Sequence, residues 1–127
     1  MVNLLKYIFH TSLLILIIIS LYPGSLLGQL IYGDATKQPN LIENPFGASL
    51  NHFIFYFYVS LLGLFIYLKS EKFKTLIYFL FFLSVILEFF HLIIPNRSFQ
   101  FSDLFGNILG VIVAYFLVKI YLLINKP

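Results

Sequence analysis

The chain has 127 residues, of which 61% are hydrophobic and 10% charged, with a formal charge of +3. Its mean hydropathy of +0.97 exceeds what a soluble domain of this size can bury, so the composition excludes a water-soluble fold and indicates an integral membrane protein. Cysteine is absent, which excludes disulfides, thiolate metal sites and a lipoprotein anchor, and no basic run suits nucleic acid.

Residues 4–21 form the first apolar run, ended by Tyr22, Pro23 and Gly24. The run is longer than a usual signal-peptide core and no clean small-x-small site follows it, so we expect it to be retained as a helix. His10, Thr11 and Ser12 suit hydrogen bonding within or between helices. Residues 22–50 are the one long polar segment, with Pro23, Pro39 and Pro45, the glycines Gly24, Gly28, Gly33 and Gly47, and the acids Asp34 and Glu43. This is loop chemistry. Within it, the spacing of Leu26, Leu27, Leu30 and Ile31 predicts a short interfacial helix. Residues 51–68 are the second apolar run, followed by a basic turn at 69–74. Residues 75–94 are the third, 95–102 a short connection, and 103–124 the fourth.

The expected fold is therefore all-α: a single membrane domain over residues 1–127, built as an integral membrane bundle of four transmembrane helices with an external loop at 22–50. Placing the N and C termini in the cytoplasm puts Lys6, Lys69, Lys72, Lys74, Lys119 and Lys126 inside. Only Lys37 and Arg97 are then outside, six against two of the 8 basic residues.

With that topology the polar residues fall at one depth. His52 opens the second helix at the outer surface, and Tyr56 lies one turn below it on the same face. At the helical rise, Glu88 is about 9 Å and His91 about 4–5 Å from the outer end of the third helix. Asp103 stands at the mouth of the fourth helix and Asn107 about 6 Å inside it, with Arg97 in the connection. Glu88 matters most, because an acid within a hydrocarbon-length run costs roughly 2.5–3.5 kcal/mol on insertion scales. Gly106 and Gly110 make a GxxxG pattern that permits close helix approach.

The stretch with Glu88, Pro95, Arg97, Asp103, Asn107 and Gly110, in that order, resembles the signature of the VanZ-like family of small bacterial membrane proteins. His52, Phe53 and Tyr56 match the start of that family's second helix. His91 stands where the family usually has Gln, and Ala48 and Ser49 where it has Asp and Lys. The resemblance covers about half of the chain, from Asn51 to Tyr115. It implies a multi-pass protein of the bacterial cytoplasmic (inner) membrane and, since the family is named for a teicoplanin-resistance protein, a role in the cell envelope.

Several readings of the polar cluster stay open. In a structural one, Glu88 and Asp103 pair with Arg97, His52 or His91 and clip the helices together. In a binding one, His52, Tyr56, Glu88, His91, Arg97, Asp103 and Asn107 hold a lipid headgroup or a lipid-linked cell-wall precursor, with Arg97 forking onto phosphate. In an enzymatic one, Glu88 with His91 or His52 performs acid–base chemistry on a lipid phosphate. No catalytic motif supports the last. The single Glu88-x-x-His91 pair is too little for a metal site, so neither metal nor cofactor is expected. Membrane lipids are the expected partners, and nucleic acid is not one. The topology predicts that a reporter fused after Lys126 is active only in the cytoplasm; activity on the external face refutes it.

Overall fold

The computed structural model describes residues 2–39 and 49–125. Glu43, Pro45 and Gly47 of the expected loop, Ala48 and Lys126 lie outside the described residues. Among the described residues the fold has five helices: α1 (Val2–Leu21), α2 (Leu26–Tyr32), α3 (Leu50–Ile66), α4 (Phe73–Phe90) and α5 (Phe101–Ile124). Among the described residues there is no strand. Pro23, Pro39 and Pro95 all fall between helices, where a missing N–H costs nothing.

Helices α1, α4 and α5 are long and apolar enough to cross a membrane. Helix α3 is equally apolar but has 17 residues, at the lower end of the range of about 17–25 for a span. The short helix expected around Leu26–Ile31 is present as α2. Ser25 caps its start, with Oγ accepting from the Gly28 N–H at 2.9 Å, and Gly33 ends it in the left-handed region at φ 67°.

Helix α4 stops at Phe90 rather than at the expected Ile94. His91, Leu92 and Ile93 donate to carbonyls three residues back, at 3.1, 3.1 and 3.0 Å, so the last turn tightens. Pro95 disfavours helical geometry in the residue before it, and Asn96 then takes a positive φ of 57°. The chain thus turns one helical turn early and brings Arg97 back over the end of the bundle.

The buried stripes follow helical periodicity. On α3 they are Tyr56, Val59, Ser60, Gly63 and Leu64; on α4, Leu80, Leu83, Ser84, Leu87 and Glu88. On α5 the stripe runs Asp103, Gly106, Asn107, Gly110, Val111, Ala114 and Val118. Each repeats at three and four residues, the spacing of one helix face. Large apolar side chains such as Leu14, Phe82, Phe116 and Leu123 face outward. In a bilayer such faces meet acyl chains, while small and polar residues turn inward to pack helix on helix.

Contacts fix the directions. Phe9 of α1 sits against Gly63 near the end of α3, and the Ser49 N–H just before α3 donates to the Ser102 carbonyl at the start of α5 at 3.1 Å. Hence α1 runs against α3, and α3 runs with α5. The α3–α5 pair is the most extensive in the fold. A Cβ on Gly110 would lie 2.7 Å from the Phe53 carbonyl oxygen and 2.8 Å from the Phe57 nitrogen, and one on Gly106 would lie 2.6 Å from the Ser49 oxygen. Both glycines therefore meet backbone, which cannot yield. At Gly63 the neighbour is the Phe9 ring, 2.5 Å from an added Cβ, and a ring can swing away. Gly110→Ala is accordingly expected to destabilise the protein by about 1–3 kcal/mol. Gly63→Ala is expected to cost clearly less in thermal unfolding of the detergent-purified protein.

Candidate functional site

The end of α1, the start of α3, the end of α4 and the start of α5 meet at one end of the bundle. A cavity of about 320 Å³ opens there, with α2 and its flanking loop along one side. His52, Tyr56, Arg97, Gln100, Ser102 and Asp103 supply much of its polar wall; Leu16, Leu26 and Phe55 supply apolar wall. The loop is held in place by the Ser25 N–H, which donates to the Ala35 carbonyl at 2.7 Å, and by the Asn51 side chain, which donates to the Pro39 carbonyl at 3.3 Å.

Asn107 is the junction of three helices. Its Nδ2 donates to the Ser84 carbonyl of α4 at 3.3 Å, while Oδ1 lies 2.9 Å from Nδ1 of His52 on α3. Because the amide oxygen only accepts, His52 carries its proton on Nδ1. Its Nε2 then points to Asp103 Oδ2 at 3.5 Å. Asp103 sits in the first turn of α5, where the helix dipole favours an anion.

Glu88 and His91 form a second group. Glu88 Oε1 accepts the Gln100 backbone N–H, just ahead of α5, at 3.0 Å and lies 3.2 Å from His91 Nδ1. His91 Nε2 lies 3.0 Å from the Ser20 carbonyl, which only accepts, so Nε2 carries a proton. One further proton sits between Nδ1 and Oε1, since two facing lone pairs would repel. Glu88 is 1% exposed, and its Oε2 is buried with no hydrogen-bond partner among the described residues.

Arg97 departs from the sequence reading. It makes no ion pair with Glu88 or Asp103 among the described residues. Instead Nε donates to the Tyr22 carbonyl at 3.2 Å and Nη2 to the Ile19 carbonyl at 2.7 Å. Burial pulls its pKa below the usual value, and the nearby Glu88 and Asp103 charges oppose that shift. His91 and Arg97 together thus serve three carbonyls at the end of α1, groups that the helix itself leaves unpaired.

The structure brings His52, Tyr56, Glu88, His91, Arg97, Asp103 and Asn107 to this one end, with Gly106 and Gly110 in the adjoining α3–α5 seam. Sequence reasoning missed Gln100, whose contribution is a main-chain N–H, and the carbonyls of Ile19, Ser20, Tyr22 and Ser84. Only Ser84 carries a signal, lying four residues before Glu88 on the same face of α4. Sequence reasoning also missed that one ligand atom each of His52, Glu88 and Asp103 lie within 4.8 Å of one another.

An all-helical, strongly apolar bundle with three helices able to cross a membrane and a polar cavity at one end marks a membrane protein. The family model described as VanZ/LLP1 matches residues 6–123, nearly the whole chain, and the protein belongs to that family. No curated protein and no solved structure matches the chain.

Asn107→Ala removes the amide that spans α3, α4 and α5 and strands the His52 Nδ1–H. We expect a loss of about 1–3 kcal/mol of stability, the cost of an unsatisfied buried group. Thermal unfolding alongside Asn51→Ala, whose bond holds only the loop, checks this.

Proposed function

We propose that the cavity binds the phosphate headgroup of a membrane lipid or of a lipid-linked cell-envelope intermediate. The observation that supports it best is the placement of Arg97. Nε and Nη2 are spent on carbonyls, which fix the guanidinium plane, while Nη1 has no hydrogen-bond partner among the described residues. A fixed guanidinium in a cavity wall is a ready donor to phosphate oxygens. Apolar residues share that wall, so a headgroup bound there keeps its chain in contact with an apolar surface.

In the orientation expected from the basic residues, the cavity faces the outer leaflet of the bacterial cytoplasmic membrane. This agrees with a cell-envelope role for a VanZ/LLP1 family member. A purely structural role has its own support: the bonds of Asn107, His91 and Arg97 each bridge separate elements. Binding and bridging are compatible, because Arg97 does both with different nitrogens.

The reading is tested by lipid mass spectrometry on the full chain purified in detergent. Wild type is expected to carry a phosphate-bearing lipid that falls at least tenfold in Arg97→Ala, with both proteins eluting as single folded species. Equal lipid in the two overturns the proposal.

A further inference from the structure

Three observations at the cavity converge on one point. His52 donates Nδ1–H to Asn107, which leaves Nε2 as the ring nitrogen that faces Asp103. The Nε2–Oδ2 distance of 3.5 Å is too long for a charge-assisted hydrogen bond, about 2.7–2.9 Å. Glu88 has Oε1 committed to Gln100 and His91, yet Oε2 is buried and unpartnered among the described residues.

We propose that His52, Glu88 and Asp103 form a divalent-cation site, with His52 Nε2, a carboxylate oxygen of Asp103 and Glu88 Oε2 as ligands. One potential ligand atom from each residue lies within 4.8 Å of the others. A four-coordinate ion with bonds of about 2.1 Å sets its ligand atoms about 3.4 Å apart. The His52–Asp103 separation already fits that edge, and the remaining separations, within 4.8 Å, would shorten on binding. One imidazole with two carboxylates selects a first-row ion such as Zn²⁺ or Mn²⁺ over Mg²⁺ or Ca²⁺, which take oxygen ligands alone.

The surrounding bonds are those a metal site requires. A ligating histidine donates its other N–H to a fixed acceptor, here Asn107 Oδ1, which is itself aligned by the Ser84 carbonyl. A ligating carboxylate is held by its second oxygen, here Glu88 Oε1. The ligand set offers two carboxylates to a divalent cation, and the proton that Glu88 shares with His91 offsets the charge of one of them. His52 and Asp103 line the cavity, which leaves a direction of approach for an exchangeable ligand. The site stands without the lipid reading. If both hold, the ion lies beside the bound phosphate and offsets the repulsion between that phosphate and the two carboxylates.

The test uses the full chain, purified in detergent without a polyhistidine tag and stripped with a chelator. Zn²⁺ is titrated by calorimetry. Wild type is expected to bind one ion per chain, and His52→Ala, Glu88→Gln and Asp103→Asn each to weaken binding by at least about 100-fold. Asp34→Asn and His10→Gln, both away from the site, are expected to leave it unchanged. Absence of saturable binding by wild type, or unaltered affinity in the three ligand variants, overturns the proposal. Should those variants fail to fold, pulsed electron paramagnetic resonance of Mn²⁺ on wild type decides. Coupling to one imidazole nitrogen supports the site, and no such coupling overturns it.

Discussion

The end of a helix is the costly part of a membrane bundle. Up to four carbonyls at a C-terminus have no partner within the helix, and away from water each must find one. Helix α1 ends where Ile19, Ser20 and Tyr22 present such carbonyls, and the protein answers with Arg97 and His91 from the far side of the chain. His91 reaches from the last turn of α4, and Arg97 reaches because α4 ends early and Asn96 reverses the connection. Pro95 thus sets the length of α4, the early turn serves the end of α1, and the cavity lies where the two meet.

The same economy runs through the polar cluster. Lipid chains are as apolar as leucine, so burial of apolar area does little to hold these helices together. Close backbone approach at Gly106 and Gly110 and the bonds of Asn107 take over that task on α3, α4 and α5. Polar residues in such a setting are both adhesive and chemically able. Asn107 fastens α5 to its neighbours, and through the same amide it decides which nitrogen of His52 faces Asp103. Glu88 supports the start of α5 with one oxygen and leaves the other uncommitted.

Much of the architecture was legible from residue order. Apolar runs located the long helices, leucine spacing located α2, and the helical rise placed Glu88, Asp103 and Asn107 at a common depth with His52. The α4 boundary was overestimated because the apolar run continues through Ile94, while the local effect of Pro95 overrides hydrophobicity there. The partner of Arg97 was not legible. Charge complementarity pointed to the acids, but the guanidinium met backbone carbonyls, which every residue carries and no sequence letter marks. The convergence of His52, Glu88 and Asp103 depends on how three helices are rotated about their axes, and periodicity within each run does not reveal that.

The face of α5 has a consequence for what the sequence can tolerate. Asp103, Gly106, Asn107 and Gly110 alternate between chemistry and close packing along one stripe, so the cavity wall and the seam with α3 are the same surface. Inserting one residue between Asn107 and Gly110 would turn one half of that stripe about 100° away from the other. Asn107 and Gly110 could then no longer both meet α3. The two duties cannot drift apart through small shifts in length, and this segment can change only by substitution, one position at a time.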